Sequence, residues 1–224
     1  MKKKILIIIL LGIIGTFLIY KTSQKDKIYF LSLGDGLASG MTAYHIDGYN
    51  YNDYIRDDLS KKEKIEEYIH EFARSDQTVE NLITCIENNY KMEEINLTIQ
   101  QALAKSKLIT IGIGLDELAA SSLKQIITTP EKNDYYKDMT KLIKLIRSFN
   151  DGKIYLLGIY KAYNLEDDDI SEINQFLKEL AVANKMIYID IADLINNPEY
   201  FLNNNSYYLN YKGHQEIYQR IIAK

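Results

Sequence analysis

Four acidic residues follow short apolar runs and could act together: Asp35 in Leu33-Gly34-Asp35-Gly36, Asp76 in Ser75-Asp76-Gln77-Thr78, and the pair Asp116-Glu117 after Gly114. Carboxylates gathered at one place raise one another's pKa unless a cation or basic group joins them, so such a set would suit a cation. In the plainer reading Asp35 and Glu117 hydrogen-bond loop backbone and Asp76 faces solvent, which leaves no metal site and no cofactor. Nucleophilic hydrolysis makes a different demand: a nucleophile with a base in reach, plus neutral donors aimed at developing negative charge. Candidates for that are few. Ser32 lies inside an apolar run, and Ser39 lies three residues past Gly36, about one helical turn further on. His45, His70 and His214 make no pair at the i,i+3 or i,i+4 spacing of a metal site. His214 reads as a packing or capping residue of the last helix. The one cysteine, Cys85, shares the helical spacing of Val79, Leu82, Ile83 and Ile86 and reads as a small buried thiol, with no partner for a disulfide or a metal pair.

These residues need a frame, and the apolar pattern supplies one. Short β-rich runs occur at Ile28–Leu33, Leu108–Ile113, Ile154–Ile159 and Met186–Ile191, with a weaker strand near Glu71–Arg74. Between them lie helical spacings: Leu142, Ile143, Leu145, Ile146 and Phe149, then Ile170, Ile173, Phe176, Leu177 and Leu180. The segment Gln215–Ala223 closes the chain as a helix, with Ile217, Ile221 and Ile222 on one side. Strand–helix alternation predicts parallel βαβ units, and nearly continuous apolar strands predict a sheet covered on both faces. Ligands of such sheets bind at the carboxyl ends of the strands, so the loops after the strands are where chemistry belongs. The charge run Lys61–Glu67 reads as a solvated helix face, and Glu166–Asp169 as acidic residues favoured by a helix dipole.

The chain has 224 residues, room for one well-buried domain and a short appendage. A net charge of −4, without a Lys/Arg stripe in the domain, argues against a nucleic-acid partner. Lys2, Lys3 and Lys4 precede an uncharged run from Ile5 to Tyr20, closed by Lys21. At about 1.5 Å per residue that run spans roughly 24 Å, slightly short of a bilayer core of about 30 Å. It reads as an uncleaved signal anchor, with a cleaved secretory signal as the alternative. Either way residues 1–27 are an anchor or signal plus a short tether, residues 28–224 are the domain, and the domain lies outside the cytoplasm.

Four blocks in order resemble those of the SGNH (GDSL) hydrolases, an esterase- and lipase-like family. Strand one runs into Gly34-Asp35-Gly36-Leu37-Ala38-Ser39-Gly40, similar to G-D-S-x-x-x-G. Ser75–Thr78 resembles the G-x-T turn, Gly114-Leu115-Asp116-Glu117 resembles G-x-N-D, and Tyr208-Leu209-Asn210-Tyr211-Lys212-Gly213-His214 resembles the closing H-P-N-x-x-G-H block. The resemblance covers about Lys27 to Lys224. It implies a three-layer, flavodoxin-like sandwich with a five-stranded parallel sheet.

The resemblance also implies a serine nucleophile, a histidine base, an acid three residues before it, and oxyanion donors from the serine amide, a glycine and an asparagine. At these positions stand Gly36, Tyr208, Asn205, Asp76 and Asp116. Gly36 carries no nucleophile, a phenol titrates near pH 10, and an aspartate beside the oxyanion adds repulsion where charge develops. Losing the nucleophile or base alone costs about 10⁴–10⁶ in rate. The expectation is a degenerate member that keeps the frame and binds an acyl, glycan or protein ligand; the alternative is a divergent ester hydrolase of envelope lipids or glycans. Candidate cleft residues are Asp35, Gly36, Asp76, Gly114, Asp116, Glu117, Tyr208 and Asn210. Tyr160, Tyr163, Tyr207 and Tyr211 are candidates to line the same cleft.

Overall fold

The computed structural model describes residues 27–122, 127–162, 165–203 and 206–224, together with 12, 13, 15 and 16. The apolar run Ile5–Tyr20, those four residues excepted, and the tether after it as far as residue 26 lie outside the described residues. No helix among the described residues is long and apolar enough to cross a membrane.

In chain order the elements are β1 (Ile28–Gly34), α1 (Gly36–Ser39), α2 (Tyr51–Lys61), β2 (Ile65–Ile69), α3 (Val79–Glu87), β3 (Lys91–Met92), β4 (Leu97–Thr98), α4 (Ile99–Lys105), β5 (Leu108–Gly112) and α5 (Leu115–Ser122). Then come α6 (Thr129–Phe149), β6 (Lys153–Leu157), α7 (Asp167–Ala183), β7 (Ile187–Ile189), two short 3₁₀ turns (Ala192–Asn196, Pro198–Tyr200) and α8 (Tyr211–Ile222). Five strands form one parallel sheet in the order β2-β1-β5-β6-β7. Sequence order reverses between β1 and β5, and at such a switch point the loops diverge and leave a crevice. β3 and β4 form a separate small antiparallel ladder.

The strands are parallel and central because their side chains are apolar on both faces. Phe30, Leu31, Leu33, Ile109, Ile111, Ile154 and Leu156 are all essentially inaccessible. Each such side chain contributes about 1.5–3 kcal/mol on burial, so Ile109→Ala in the middle of the sheet should cost about 2–5 kcal/mol. α2 packs on α8, while α3, α4, α6 and α7 pack on one another, so helices cover both faces. The helix starts are fixed by side chains that take up free backbone N–H groups: Asn50 with Asp53, Thr98 with Gln101 and Thr128 with Glu131 form capping boxes, and Thr78 and Asn210 cap α3 and α8.

Three expectations need correction. Lys61–Glu67 is not one helix face: α2 stops at Lys61, and Ile65–Ile69 is the edge strand β2. Its glutamates are satisfied at the sheet edge, Glu66 by Lys27 at 3.5 Å and Glu67 by Lys105 at 2.6 Å. Consequently 71–74 is not a strand and contributes only the isolated bridge Gly34–Ala73. Cys85 is half-buried on α3 rather than enclosed.

Candidate functional site

The site is built from the loops after β1 and β5. Gly34 has φ 145°, and a Cβ there would fall 1.9 Å from the Gly112 carbonyl oxygen, so only glycine lets the two strand ends converge. Asp35 then binds both loops. Its Oδ1 accepts from the Leu37 amide at 3.1 Å, capping α1, and its Oδ2 accepts from Gly114 N at 2.8 Å and Asp116 N at 3.2 Å. Asp35 is fully buried. Burial pushes its carboxyl well above the ordinary range, and the neighbouring Asp116 charge adds to the rise, against three backbone amides that oppose it.

Gly36 opens α1, where the resemblance expects a nucleophile. Its N–H donates to Asp116 Oδ2 at 2.9 Å. A Cβ at Gly36 would lie 2.4 Å from that same oxygen. The Tyr207 hydroxyl lies 3.0 Å from Asp116 Oδ1 and 3.4 Å from the Tyr208 hydroxyl, and the two rings stack with centroids 4.4 Å apart. Tyr207 is itself held by buried Tyr160, which donates to the Tyr207 carbonyl at 2.7 Å. Burial raises the Asp116 carboxyl pKa, opposed by the Gly36 and Tyr207 donors. Burial, Tyr208 and Asp116 together push the Tyr207 phenol far above its usual value.

The cleft around these atoms is lined by Gly36, Leu37, Met41, Leu115, Asp116, Tyr160, Tyr207, Tyr208, Leu209 and His214 and has a volume of about 10 Å³, at the lower limit of what one water needs. No serine, threonine, cysteine, lysine or arginine is among those residues. His214 is buried at its edge, stacks against Tyr51, and has an Nδ1 with no hydrogen-bond partner among the described residues. Burial lowers its pKa to about 4, so its imidazole is neutral. An open groove of about 520 Å³ lies elsewhere, between α7, β7 and the first 3₁₀ turn, with Asn174, Lys178, Tyr188 and Asp190 in its walls.

Of the sequence candidates, Asp35, Gly36, Gly114, Asp116 and Tyr208 come together at this crevice. Asp76 does not reach it: it faces solvent in a two-point pair with Arg74, at 2.8 and 3.1 Å, which lowers its pKa. Glu117 turns to the amide of Val79 at 2.9 Å and so anchors α3. Asn210 caps α8, accepting from Lys212 N and Gly213 N, and donates to the carbonyls of Glu199 and Phe201. Asn205 and Tyr163 lie outside the described residues, and exposed Tyr211 stands at the start of α8. Ser32 is buried and accepts from Asn52 at 3.0 Å. Ser39 bonds Asp47 at 2.8 Å, away from the crevice lining. His45 is an exposed turn residue with φ 56°, and exposed His70 stacks on Tyr68. Among the described residues no group of three His, Cys, Asp or Glu could hold a metal ion. The Tyr207–Asp116 hydrogen bond was not legible in the sequence, because the motif aligns its neighbour Tyr208, while the structure sets both rings on the crevice and gives the contact with Asp116 to Tyr207.

No family model matches the chain, and no curated protein matches it. Solved structures do. A catalytic mutant of an acetylxylan esterase from Geobacillus stearothermophilus is similar at TM-score 0.64, with 16% identity over 87% of this chain and 92% of that one. The lipase/acylhydrolase from Enterococcus faecalis is similar at TM-score 0.62, with 17% identity over 87% of this chain and 93% of that one. AlinE4, an SGNH-hydrolase family esterase, is similar at TM-score 0.57, with 15% identity over 87% of this chain and 92% of that one. The chain therefore has the SGNH-hydrolase fold, and at these identities the likeness speaks for the fold alone.

Proposed function

We propose that this protein is a catalytically silent relative of the SGNH hydrolases, tethered outside the cytoplasm by its N-terminal apolar run and binding a cell-envelope ligand or partner. The observation that carries the reading is the pairing of Gly36 with Asp116. The residue where a nucleophile is expected has no side chain, and its amide is already taken by a carboxylate 2.9 Å away. An acyl carbonyl brought there would meet a negative charge where its own must develop, which raises the barrier instead of lowering it. Tyr208, at the position of the base, offers a phenol beside another phenol and no imidazole. The one histidine on the crevice, His214, is buried with a pKa near 4. With no room for an acyl group in the crevice, ligand contact belongs elsewhere on the surface, where the 520 Å³ groove beside α7 and β7 is mixed in polarity and suits a glycan or peptide better than a lipid chain.

The test is labelling with a fluorophosphonate probe, run beside hydrolysis of short acyl esters. Silence in both is expected. A labelled serine, or turnover abolished by mutating a single named residue such as Ser39, would overturn the reading.

A further inference from the structure

We propose that the amino-end edge of the sheet is a basic docking face for an anionic bilayer surface, that of the membrane in which the N-terminal apolar run is embedded. This rests on the tether reading above and adds what the domain does at the end of that tether.

The face is assembled by topology. All five strands of the parallel sheet start at one edge, and each is entered through a lysine. Lys27 precedes β1, Lys64 precedes β2, Lys107 precedes β5, Lys153 opens β6, and Lys185 stands two residues before β7. Backbone bonds set these entries side by side. Ile28 N donates to the Lys64 carbonyl at 2.7 Å, Lys107 N to the Tyr29 carbonyl at 3.0 Å, and Lys153 N to the Lys107 carbonyl at 3.1 Å. Arg147 pins the last two turns by donating to the carbonyls of Gly152 and Lys185, at 2.8 and 2.7 Å. At roughly 4.8 Å per strand the row spans about 19 Å. No stripe is visible in the sequence, because at least one helix separates each lysine from the next.

Charge survives on this face. Ion pairs occupy Lys27, Lys62 and Lys105, with Glu66, Asp58 and Glu67, but leave Lys64, Lys153 and Lys185 without one among the described residues. Lys64, Lys107, Lys153 and Lys185 are exposed, and the same turns carry only two acids, Glu63 and Asp151. A helix dipole favours a lysine only within the last turn, yet Lys64 stands three residues beyond α2 and Lys153 four beyond α6. The opposite edge is acidic at its surface, where Asp47, Asp76, Glu166, Asp190 and Asp193 are exposed against Arg74 and Lys161. The net charge of −4 thus hides two unlike ends.

A bilayer is the fitting partner because of where the chain enters. Residues Lys21 to Asp26 reach at most about 20 Å, and they join the domain at Lys27, on this same edge. An embedded apolar run holds this edge, and not the acidic one, near the headgroups. Lysines are drawn to an anionic surface within a screening length of about 10 Å at ordinary salt. Docking stands the domain upright, with the loops after the strands and their crevice turned away from the lipid.

The test uses the full chain in bilayer nanodiscs of phosphatidylcholine, with or without phosphatidylglycerol. A water-soluble reagent acylates amines, and each lysine is read by mass spectrometry. With phosphatidylglycerol, acylation of Lys64, Lys107, Lys153 and Lys185 should fall at least about three-fold, and high salt should restore it. Lys161 and Lys178, which line the groove beside α7, should not change. No fall, an equal fall at Lys161 and Lys178, or the same protection in phosphatidylcholine alone overturns the proposal. So does protection by soluble polyphosphate that phosphatidylglycerol does not give, which assigns the face to a polyanion in solution. A chain that fails to co-purify with nanodiscs sinks the tether reading and this proposal together, whereas an incorporated chain without protection sinks this proposal alone. Neither result bears on the fluorophosphonate test of catalytic silence.

Discussion

Asp35 and Asp116 stand on opposite sides of the same tight turn, both partly or wholly removed from water, and do opposite jobs. Asp35 faces inward and takes amides from two loops, at Leu37, Gly114 and Asp116. Asp116 faces the crevice and takes one amide and one phenol, at Gly36 and Tyr207. The inner carboxylate defines the shape of the turn whatever side chain follows it. The outer one defines what the turn can do. Frame and chemistry are thus held by separate atoms, so one can be lost while the other is kept.

The largest expected effect comes from breaking the inner side. Asp35→Ala leaves three amides in a buried place without an acceptor and should cost about 3–5 kcal/mol in urea unfolding. If D35A loses no more than Asp116→Ala, the distinction between the two carboxylates fails. Next is His214, packed behind the crevice. Its folded pKa, near 4, lies below its unfolded value of 6.5, so the unfolded chain binds the proton first and stability is lost as pH falls from 6.5 toward 4. That loss should be on the order of 3 kcal/mol and should be absent in His214→Phe when unfolding is followed across that range. Asp116 works in the opposite sense. Its folded pKa is raised above 3.8, so its contribution is present at low pH and lost as pH rises through the folded value, and Asp116→Asn should flatten that component of the profile.

On the crevice side, Gly36→Ser forces a Cβ to within 2.4 Å of the Asp116 oxygen. It should destabilise by about 1–3 kcal/mol and gain no esterase activity, and pairing it with Asp116→Ala should recover most of the loss. The smallest effect belongs to the rim. Asp76→Ala removes an exposed pair with Arg74 and should change stability by less than about 0.5 kcal/mol. A larger change would show that the loop after β2 takes part in the site.

The central strands were legible because a parallel strand covered on both faces has nowhere to place a polar side chain; Leu108-Ile109-Thr110-Ile111-Gly112 states this directly. β2 was not. Ile65-Glu66-Glu67-Tyr68-Ile69 lies at the sheet edge, where Lys27, just before β1, and Lys105 of α4 meet its glutamates, so its charge imitates a solvated helix. In the crevice, Gly36 and Asp116 stood out because each departs from a residue type that the chemistry requires. Asp76 looked equivalent to Asp116 in sequence, yet an arginine two residues away holds it in solvent, a contact that no block pattern encodes. The inward turn of Tyr207 likewise depends on the Tyr160 hydroxyl, 47 positions away in the chain.

The short gap between Gly36 and the Asp116 carboxylate also couples what either position can carry. A hydroxymethyl group placed at 36 would arrive in occupied space, and an amide placed at 116 would find no nucleophile to assist. Neither change alone would set a nucleophile beside neutral donors.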